Sequence, residues 1–322
     1  METKKCIGCG SILQCEDINA EGYIPANKIE DSIYCQRCFK LKNYGKKSVD
    51  TTLISDDDTI KKVNESNSFA FFLVDFLNIS NEIIETYKKI KINKALIISK
   101  SDLIIKDIKL DKLKENIKEV YKINEDILFL SSKNNYNIGL IFKELDKYNK
   151  KKAYILGYTN AGKSTLINTL REKEDIVTSN SLNTTLDFIK MNINGYEIID
   201  TPGFSLSNTF YKKDDYDLIK KCNPSKFVSP ITYKTKKNQI FKINDLYIKN
   251  FDDNSITFYM SNLITIDKIY RDEDDNYQEI TVKDNSDIVI SSLGFINVKK
   301  ACIFKINKKY SNLISIRESL FK

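Results

Sequence analysis

The residues best suited to chemistry lie in "GYTNAGKST", residues 157–165, which matches the phosphate-binding pattern G-x-x-x-x-G-K-[ST]. An apolar run that predicts a strand precedes this stretch and a helix-forming run follows it, as such a loop requires. Its backbone N–H groups surround phosphates, its lysine reaches the β- and γ-phosphates, and its serine hydroxyl binds magnesium. The stretch predicts a phosphate site made by Gly157, Asn160, Ala161, Gly162, Lys163, Ser164 and Thr165.

A second stretch, "YEIIDTPGF" at residues 196–204, complements this loop. It predicts a strand that delivers Asp200 to the magnesium ion, with the Gly203 N–H placed to meet the γ-phosphate. Between the two stretches, "LNTTLD" offers the hydroxyls of Thr184 and Thr185. Either could close on magnesium when a γ-phosphate is bound, and we favour Thr185.

Base recognition is predicted at "SKSD", residues 99–102, where Ser99 replaces the Asn of the guanine-reading pattern N-K-x-D. Asp102 would accept hydrogen bonds from guanine, Lys100 would cover the ring, and the short Ser99 would shorten the arm that supports the phosphate loop. Lys-x-Asp recurs elsewhere, for example at residues 109–111, but only this copy ends an apolar run. After the next predicted strand, the loop that would lie behind the guanine O6 contains Ser131, Ser132 and Lys133.

The base-reading segments precede the phosphate loop, whereas in ordinary GTPases they come after it. This is the GTPase series cut and rejoined, which a sheet tolerates when its original ends lie close together. In this order, the segment around Gly203 that senses the γ-phosphate leads directly into the C-terminal part of the chain.

Two residues decide how hydrolysis would be assisted. Phe204 stands where a water-orienting Gln would come after Gly203 in a Ras-like site, and a phenyl ring cannot polarise water. Asn160 is either a ligand for a potassium ion that replaces an arginine finger or only a residue that stabilises the loop. Without another charged group, hydrolysis would be slow.

The pattern C-x-x-C occurs twice, with 25 residues between the two copies. Four thiolates in this arrangement can hold zinc tetrahedrally. Disulfides are unfavourable in a cytoplasmic protein, and a redox pair would need one C-x-x-C beside a thioredoxin-like unit. We predict a structural zinc site at Cys6, Cys9, Cys35 and Cys38, with Cys15, Cys222 and Cys302 as ordinary buried or free cysteines.

Apolar runs alternate with helix-length amphipathic segments from residue 69 to 200, which is typical of a parallel sheet. We predict strands over 69–75, 95–99, 127–130, 153–157, 188–193 and 196–199, and helices over 80–90, 110–120, 138–148 and 163–171. The expected fold class is α/β: a zinc knuckle over 1–45, a circularly permuted phosphate-loop GTPase domain over 46–205, and a mainly β (α+β) C-terminal domain over 206–322. Residues 45–68 are polar and predict a linker at the start of the middle domain.

Composition limits the remaining possibilities. The 322 residues are 41% hydrophobic and 30% charged, as expected of a soluble globular protein. The absence of His excludes His-based triads, general bases and metal ligands. No apolar run approaches the roughly 18 residues of a membrane span, and the N-terminus has no leader-like apolar core. We therefore expect a cytoplasmic protein without a membrane partner.

Residues 220–249 contain eight lysines and one acidic residue, Asp245. Lysines can neutralise phosphates and aromatic side chains can stack on unpaired bases, so the segment could bind RNA. A solvated basic edge over a β core would have the same composition. The interleaved aromatic residues are Phe227, Tyr233, Phe241 and Tyr247.

Taken together, these features resemble the YqeH family of circularly permuted GTPases. The resemblance rests on the knuckle "CIGCG…YCQRCF", the order SKSD, SSK, GYTNAGKST, TTLD and DTPG, and the tail stretches "DIVISSLGFINV" and "SIRESL". It covers nearly the whole chain. It implies GTP hydrolysis used as a switch in assembly of the small (30S) ribosomal subunit, with precursor ribosomal RNA, immature subunits and ribosomal proteins as candidate partners.

The resemblance also implies cofactors and roles. GTP would be the substrate with magnesium, zinc would be structural, and Asn160 would support potassium-stimulated hydrolysis. The residues expected to act in hydrolysis are Lys163, Thr185, Asp200, Gly203 and Asn160. Because of Ser99 and Phe204, a nucleotide-gated RNA-binding module with little turnover is the alternative. A permuted GTPase in an organelle or at a membrane is a third hypothesis, against which the lack of a leader or amphipathic anchor counts.

Overall fold

The structure is a computed structural model. It describes residues 4–7, 11–17, 20, 22–26, 29, 32–36, 38, 55–104, 108–172, 188–212, 215–224, 226–271 and 276–321. The predictions made for Cys9, Thr184 and Thr185 lie outside these residues.

A six-stranded sheet forms the first half of the described chain. Its strands are β1 (Phe69–Asp75), β2 (Lys94–Ser99), β3 (Asp126–Phe129), β4 (Lys152–Gly157), β5 (Ile189–Ile193) and β6 (Tyr196–Asp200). Their spatial order is β3-β2-β1-β4-β6-β5. Every neighbouring pair is parallel except β5 and β6. All seven residues of β1 are buried, as expected for a central strand covered on both faces.

The helices of this half are α1 (Asp56–Asn64), α2 (Asn81–Lys88), α3 (Leu110–Tyr121), α4 (Leu140–Lys147) and α5 (Lys163–Glu172). In α2 the capping residue is Ser80, whose hydroxyl accepts a hydrogen bond from the Ile83 N–H at 3.4 Å. The predicted strands are correct to within one residue at each end, and the predicted helices to within two. Across the described residues, no helix combines the length and the apolar character that crossing a membrane requires.

The prediction of a linker over 45–68 is wrong for its described part, because α1 lies there. The Ser55 hydroxyl accepts a hydrogen bond from the Asp58 N–H at 3.1 Å and caps the helix. The acidic run at residues 56–58 forms the first turn, where negative charge is favourable. Only Thr59, Ile60 and Val63 of the helix are buried, so its sequence reads as polar.

Within the described residues, helix α6 (Tyr216–Cys222) and ten antiparallel strands come next. The strands are β7 (Ile231–Thr235), β8 (Ile240–Ile243), β9 (Leu246–Asn250), β10 (Asn254–Met260), β11 (Asp267–Ile269), β12 (Tyr277–Val282), β13 (Ser286–Ile290), β14 (Gly294–Val298), β15 (Cys302–Asn307) and β16 (Ile314–Glu318). One sheet has the order β16-β13-β14-β10-β7 and the other β11-β8-β9-β15-β12. Apolar side chains from both sheets share one core, which makes this part a β-sandwich and confirms the predicted mainly β C-terminal region.

The sandwich packs against the six-stranded sheet through a second core. Phe76, just after β1, meets the Phe295 and Phe321 rings edge-on at 6.0 and 5.7 Å between centroids. Beside them, the buried Arg317 Nε pairs with Asp287 Oδ2 at 3.1 Å, and an Arg317 Nη1 donates to the Ile79 carbonyl. The end of β1 is therefore covered by the C-terminal region.

Candidate nucleotide site

Two glycines shape the phosphate loop where it leaves β4. At Gly157 an added Cβ would lie 2.7 Å from the Leu73 carbonyl oxygen, because β4 pairs with β1 at this position. Gly162 has a φ of +91°, which side-chain-bearing residues rarely adopt. Helix α5 then begins at Lys163, so the backbone N–H groups of its first turn lie at the end of the loop. This is the local geometry that binds phosphate.

Lys163 and Asp200 meet at the ends of β4 and β6. The Lys163 ammonium donates to Asp200 Oδ1 at 2.9 Å and also to the Thr201 carbonyl. The Lys163 side chain is 10% exposed, so this charge is held mostly away from water. The lysine predicted to bind phosphate and the carboxylate predicted to lie near magnesium are therefore in direct contact.

The phosphate loop is joined to the segment just after Asp200. The Thr159 N–H and hydroxyl both donate to the Phe204 carbonyl, at 2.9 and 3.1 Å, and the Phe204 N–H donates to the Gly157 carbonyl at 3.1 Å. The Phe204 ring is 1% exposed and packs against Phe72 and Tyr158. Phe204 is therefore a core residue whose backbone holds two loops together, and its side chain does not face the site.

The predicted base-reading segment contacts the phosphate loop directly. The Ser99 hydroxyl, at the end of β2, donates to the Ala161 carbonyl at 2.5 Å and lies 3.3 Å from the Val74 carbonyl. The serine side chain is shorter than the asparagine of the usual pattern, but it still reaches the loop because β2 ends close to Ala161. Asp102 comes next, and its Oδ1 accepts a hydrogen bond from the Ser131 hydroxyl at 2.7 Å.

A single cleft lies between these segments. It is lined by Ser99, Lys100, Asp102, Leu103, Ser132, Lys133, Gly162, Thr165 and Pro224. Residues predicted to read the base therefore share a cavity with residues predicted to bind phosphate. Their reversed order along the chain does not separate them in space.

Two residues near the cleft were not predicted from the sequence, namely Asp75 and Pro224. Asp75 Oδ2 lies 3.4 Å from the Lys100 ammonium, and its Oδ1 accepts from the Leu77 N–H at 3.0 Å. An acid at the end of an apolar strand is the signal that also identifies Asp102 and Asp200, and it could have identified Asp75. Pro224 comes from the C-terminal region, and no local pattern marks it.

Asn160 does not line this cleft but a second cavity beside the phosphate loop. It has a φ of +68°, and its Nδ2 donates to the Tyr211 hydroxyl at 3.2 Å. This second cavity is lined by residues that include Asp75, Thr159, Asn160 and Tyr211. Because the amide nitrogen is engaged with Tyr211, the amide oxygen is the atom available to bind a cation.

Three of the four predicted zinc ligands lie together. The Sγ atoms of Cys6, Cys35 and Cys38 are all within 4.8 Å of one another. The Cys35 N–H lies 3.1 Å from Cys6 Sγ, and the Cys38 N–H lies 3.4 Å from Cys35 Sγ. Backbone N–H groups directed at sulfur stabilise thiolates, so this donor set fits zinc.

The lysine-rich segment 220–249 is partly a core segment. Phe241 is completely buried, and it packs with Tyr233 and Phe258 inside the sandwich. Phe241 therefore cannot stack on RNA bases, and its place among the candidate aromatic residues is wrong. Phe227 is 41% exposed.

The sheet order, the phosphate loop and the shared cleft define a P-loop GTPase domain with its segments in permuted order. A family model described as "50S ribosome-binding GTPase" matches residues 152–262. The chain is 29% identical to the "uncharacterized protein YqeH" of Bacillus subtilis over 94% of both chains. These matches support the YqeH-type family of circularly permuted GTPases as the one this chain is similar to.

More distant relatives share part of the chain. Nitric oxide-associated protein 1 of Mus musculus is 24% identical over 52% of this chain and 32% of its own length. The tRNA modification GTPase MnmE of Brachyspira hyodysenteriae is 32% identical over 57% of this chain and 39% of its own length. This chain therefore spans well under half the length of these two proteins.

Replacing Ser99 by Ala removes the hydroxyl that joins β2 to the phosphate loop. We expect GTP and GDP to bind about 3- to 10-fold more weakly, since one such hydrogen bond contributes about 1 kcal/mol. Isothermal titration calorimetry measures this. Ser101→Ala is the matched control: its hydroxyl is buried and has no hydrogen-bond partner within the described structure, so its loss should leave affinity unchanged. Equal affinities in all three proteins would contradict the role of Ser99.

Proposed function

We propose that this protein binds GTP in the cleft between Asp102 and Lys163, hydrolyses it to GDP and phosphate, and uses the change as a switch in ribosome assembly. The observation that carries the proposal is the single cleft lined by Lys100, Asp102, Gly162 and Thr165. A nucleotide with its base at Asp102 and its phosphates at the start of α5 would occupy one continuous site.

The proposed roles rest on the geometry. Lys163 would neutralise the β- and γ-phosphates, and its position beside Asp200 supports this role. Ser164 and Asp200, together with Thr185, would hold magnesium, which supplies positive charge to the phosphates. The Gly203 N–H would meet the γ-phosphate. Ser131 would orient Asp102 toward the base, because its hydroxyl already donates to that carboxylate.

We propose a division of labour along the chain. Residues 1–45 would form a zinc knuckle, 46–205 the GTPase domain, and 206–322 a contact module for ribosomal RNA or ribosomal proteins. The resemblance to the YqeH family favours the small subunit, whereas the matching family model is described with the 50S subunit. We favour the small subunit, because the similarity to YqeH covers 94% of the chain, whereas the family model matches only residues 152–262. The site of action would be the cytoplasm.

A nucleotide-gated binding module with little turnover is the second candidate. The burial of Phe204 favours it, because the position that holds a water-orienting Gln in Ras-like sites faces the core. In a hydrolysing GTPase, potassium bound at Asn160 would provide the positive charge that Phe204 cannot supply. Stimulation of GTP hydrolysis by potassium therefore distinguishes the GTPase from the binding module.

Base selectivity tests the cleft. Asp102→Ala should abolish the preference for GTP over ATP, because the carboxylate that reads the guanine N–H groups is lost. Asp111→Ala is the matched control, since it belongs to another Lys-x-Asp copy and lies in the first turn of α3. Competition of GTP and ATP for a fluorescent guanine nucleotide measures both variants. A wild-type protein that binds ATP as tightly as GTP would contradict the proposal.

Ribosomal partnership is tested by co-sedimentation with purified particles. With a non-hydrolysable GTP analogue, the protein should sediment with immature 30S particles, and with GDP it should remain in the supernatant. Hydrolysis measured in potassium and in sodium, with and without these particles, should be fastest with both potassium and particles. Sedimentation with 50S particles instead would refute the small-subunit assignment, and equal rates in both salts would refute the role of potassium.

The zinc knuckle is tested by metal content. The purified protein should contain one zinc ion per chain by atomic emission, and Cys35→Ser should lose it because three ligands hold zinc much more weakly than four. Cys222→Ser is the control, since Cys222 lies in the sandwich core. Full zinc content in Cys35→Ser would rule out this ligand set.

A further inference from the structure

The wall of the nucleotide cleft is not made by the GTPase segments alone. All its other lining residues come from 99–103, 132–133 and 162–165, at the carboxyl ends of β2, β3 and β4. Pro224 comes from the segment between α6 and the β-sandwich. This segment belongs to the part of the chain that the proposed function assigns to ribosome contact.

Pro224 is held in place from both sides. Before it, α6 is capped by Asn223, whose Nδ2 donates to the Ile219 carbonyl at 2.9 Å, and Cys222 is 2% exposed in the sandwich core. After it, Val228 is completely buried in the core beneath the sheet, and its N–H donates to the Leu103 carbonyl at 3.3 Å. Leu103 comes directly after Asp102, so the second anchor fixes the segment to the base-reading loop itself.

The chemistry of proline suits one part of a nucleotide. Its ring is apolar and rigid, and its nitrogen has no hydrogen to donate, so it offers nothing to a phosphate. The flat face of a purine and the carbon face of a ribose gain by contact with such a surface. The cleft extends from Lys100 and Asp102 to Gly162 and Thr165 of the phosphate loop. Because the Val228 N–H donates to the carbonyl of Leu103, next to Asp102, the segment that carries Pro224 lies at the nucleoside end.

We propose that Pro224 is a nucleoside-binding residue, which the C-terminal region contributes to the guanine site. Pro224 contacts the base or ribose and stabilises GTP and GDP alike. The inference rests on the proposed binding of a guanine nucleotide. It makes nucleotide affinity depend on the position of the segment 215–228, and by linkage the bound nucleoside stabilises that segment in place.

The test uses the full-length protein and fluorescently labelled GDP and GTP. Pro224→Ala should weaken both nucleotides by the same factor, about 3- to 10-fold, because a modest apolar contact is lost from both complexes. Pro224→Val should recover most of this loss, since it restores an apolar surface without the ring's fixed backbone angle. Pro230→Ala, in the same connecting segment but outside the cleft, should bind as the wild type does.

Each outcome has a separate meaning. If Pro224→Ala binds both nucleotides as the wild type does, or weakens GTP alone, the inference is wrong while the proposed function stands. If Pro224→Val binds nucleotide as weakly as Pro224→Ala does, the rigid backbone of proline and not its contact with the nucleoside is responsible. This result would also overturn the inference. A wild-type protein that binds no guanine nucleotide refutes the proposed function instead.

A second measurement does not depend on the folding of a variant. In the wild-type protein, GDP should slow hydrogen–deuterium exchange in peptides that cover residues 219–228, while peptides of the distant strand β12 should exchange at an unchanged rate. Unchanged exchange over 219–228 in a sample saturated with GDP would overturn the inference.

Discussion

The nucleotide site depends on the pairing of β1 with β4 at the centre of the sheet. The two strands run parallel from Phe69 beside Ala153 to Leu73 beside Gly157, and β2 pairs with the other edge of β1. This brings the ends of β2 and β4 to the same edge, one strand apart, where the Ser99 hydroxyl reaches the phosphate loop across β1. The site lies where the strand order reverses, as expected for open α/β sheets.

That constraint explains how the permuted order still brings the predicted base-reading and phosphate-binding segments together. A parallel sheet brings loops together by strand position, and the connection from α4 to β4 passes through only the short stretch 148–151. The changed order instead places the C-terminal region directly after the segment around Gly203, which is predicted to meet the γ-phosphate. After Phe204 the chain proceeds to Tyr211, which meets Asn160, and then to Val228, which meets Leu103. The C-terminal region therefore contacts the phosphate loop at Asn160 and the predicted base-reading segment at Leu103.

The parts of the fold that the sequence predicts are those with strong local patterns. Strands β1 to β4 are predictable because buried parallel strands are continuous apolar runs. Helix α1 was not predicted because its one buried face is narrow and the acidic residues of its first turn resemble a solvated linker. The burial of Phe241 was not predicted either. Aromatic residues that alternate with lysines do not reveal which face of the strand is covered by the rest of the protein. The place of Pro224 in the cleft could not be predicted, since the other residues that line the cleft are more than fifty positions away in the sequence.

The contacts between sandwich and sheet differ in how easily they can change. The Arg317–Asp287 pair is 1% and 0% exposed, so separating its partners would leave a buried charge without compensation, which is strongly unfavourable. Stacking of Phe295 and Phe321 beside it adds an apolar contact that also resists opening. The Asn160–Tyr211 bond, in contrast, is a single exposed hydrogen bond, and such bonds exchange with water at little cost. A structural change at the phosphates would therefore alter the segment around Tyr211 first. The packing of Arg317, Asp287, Phe295 and Phe321 against the end of β1 would stay unchanged.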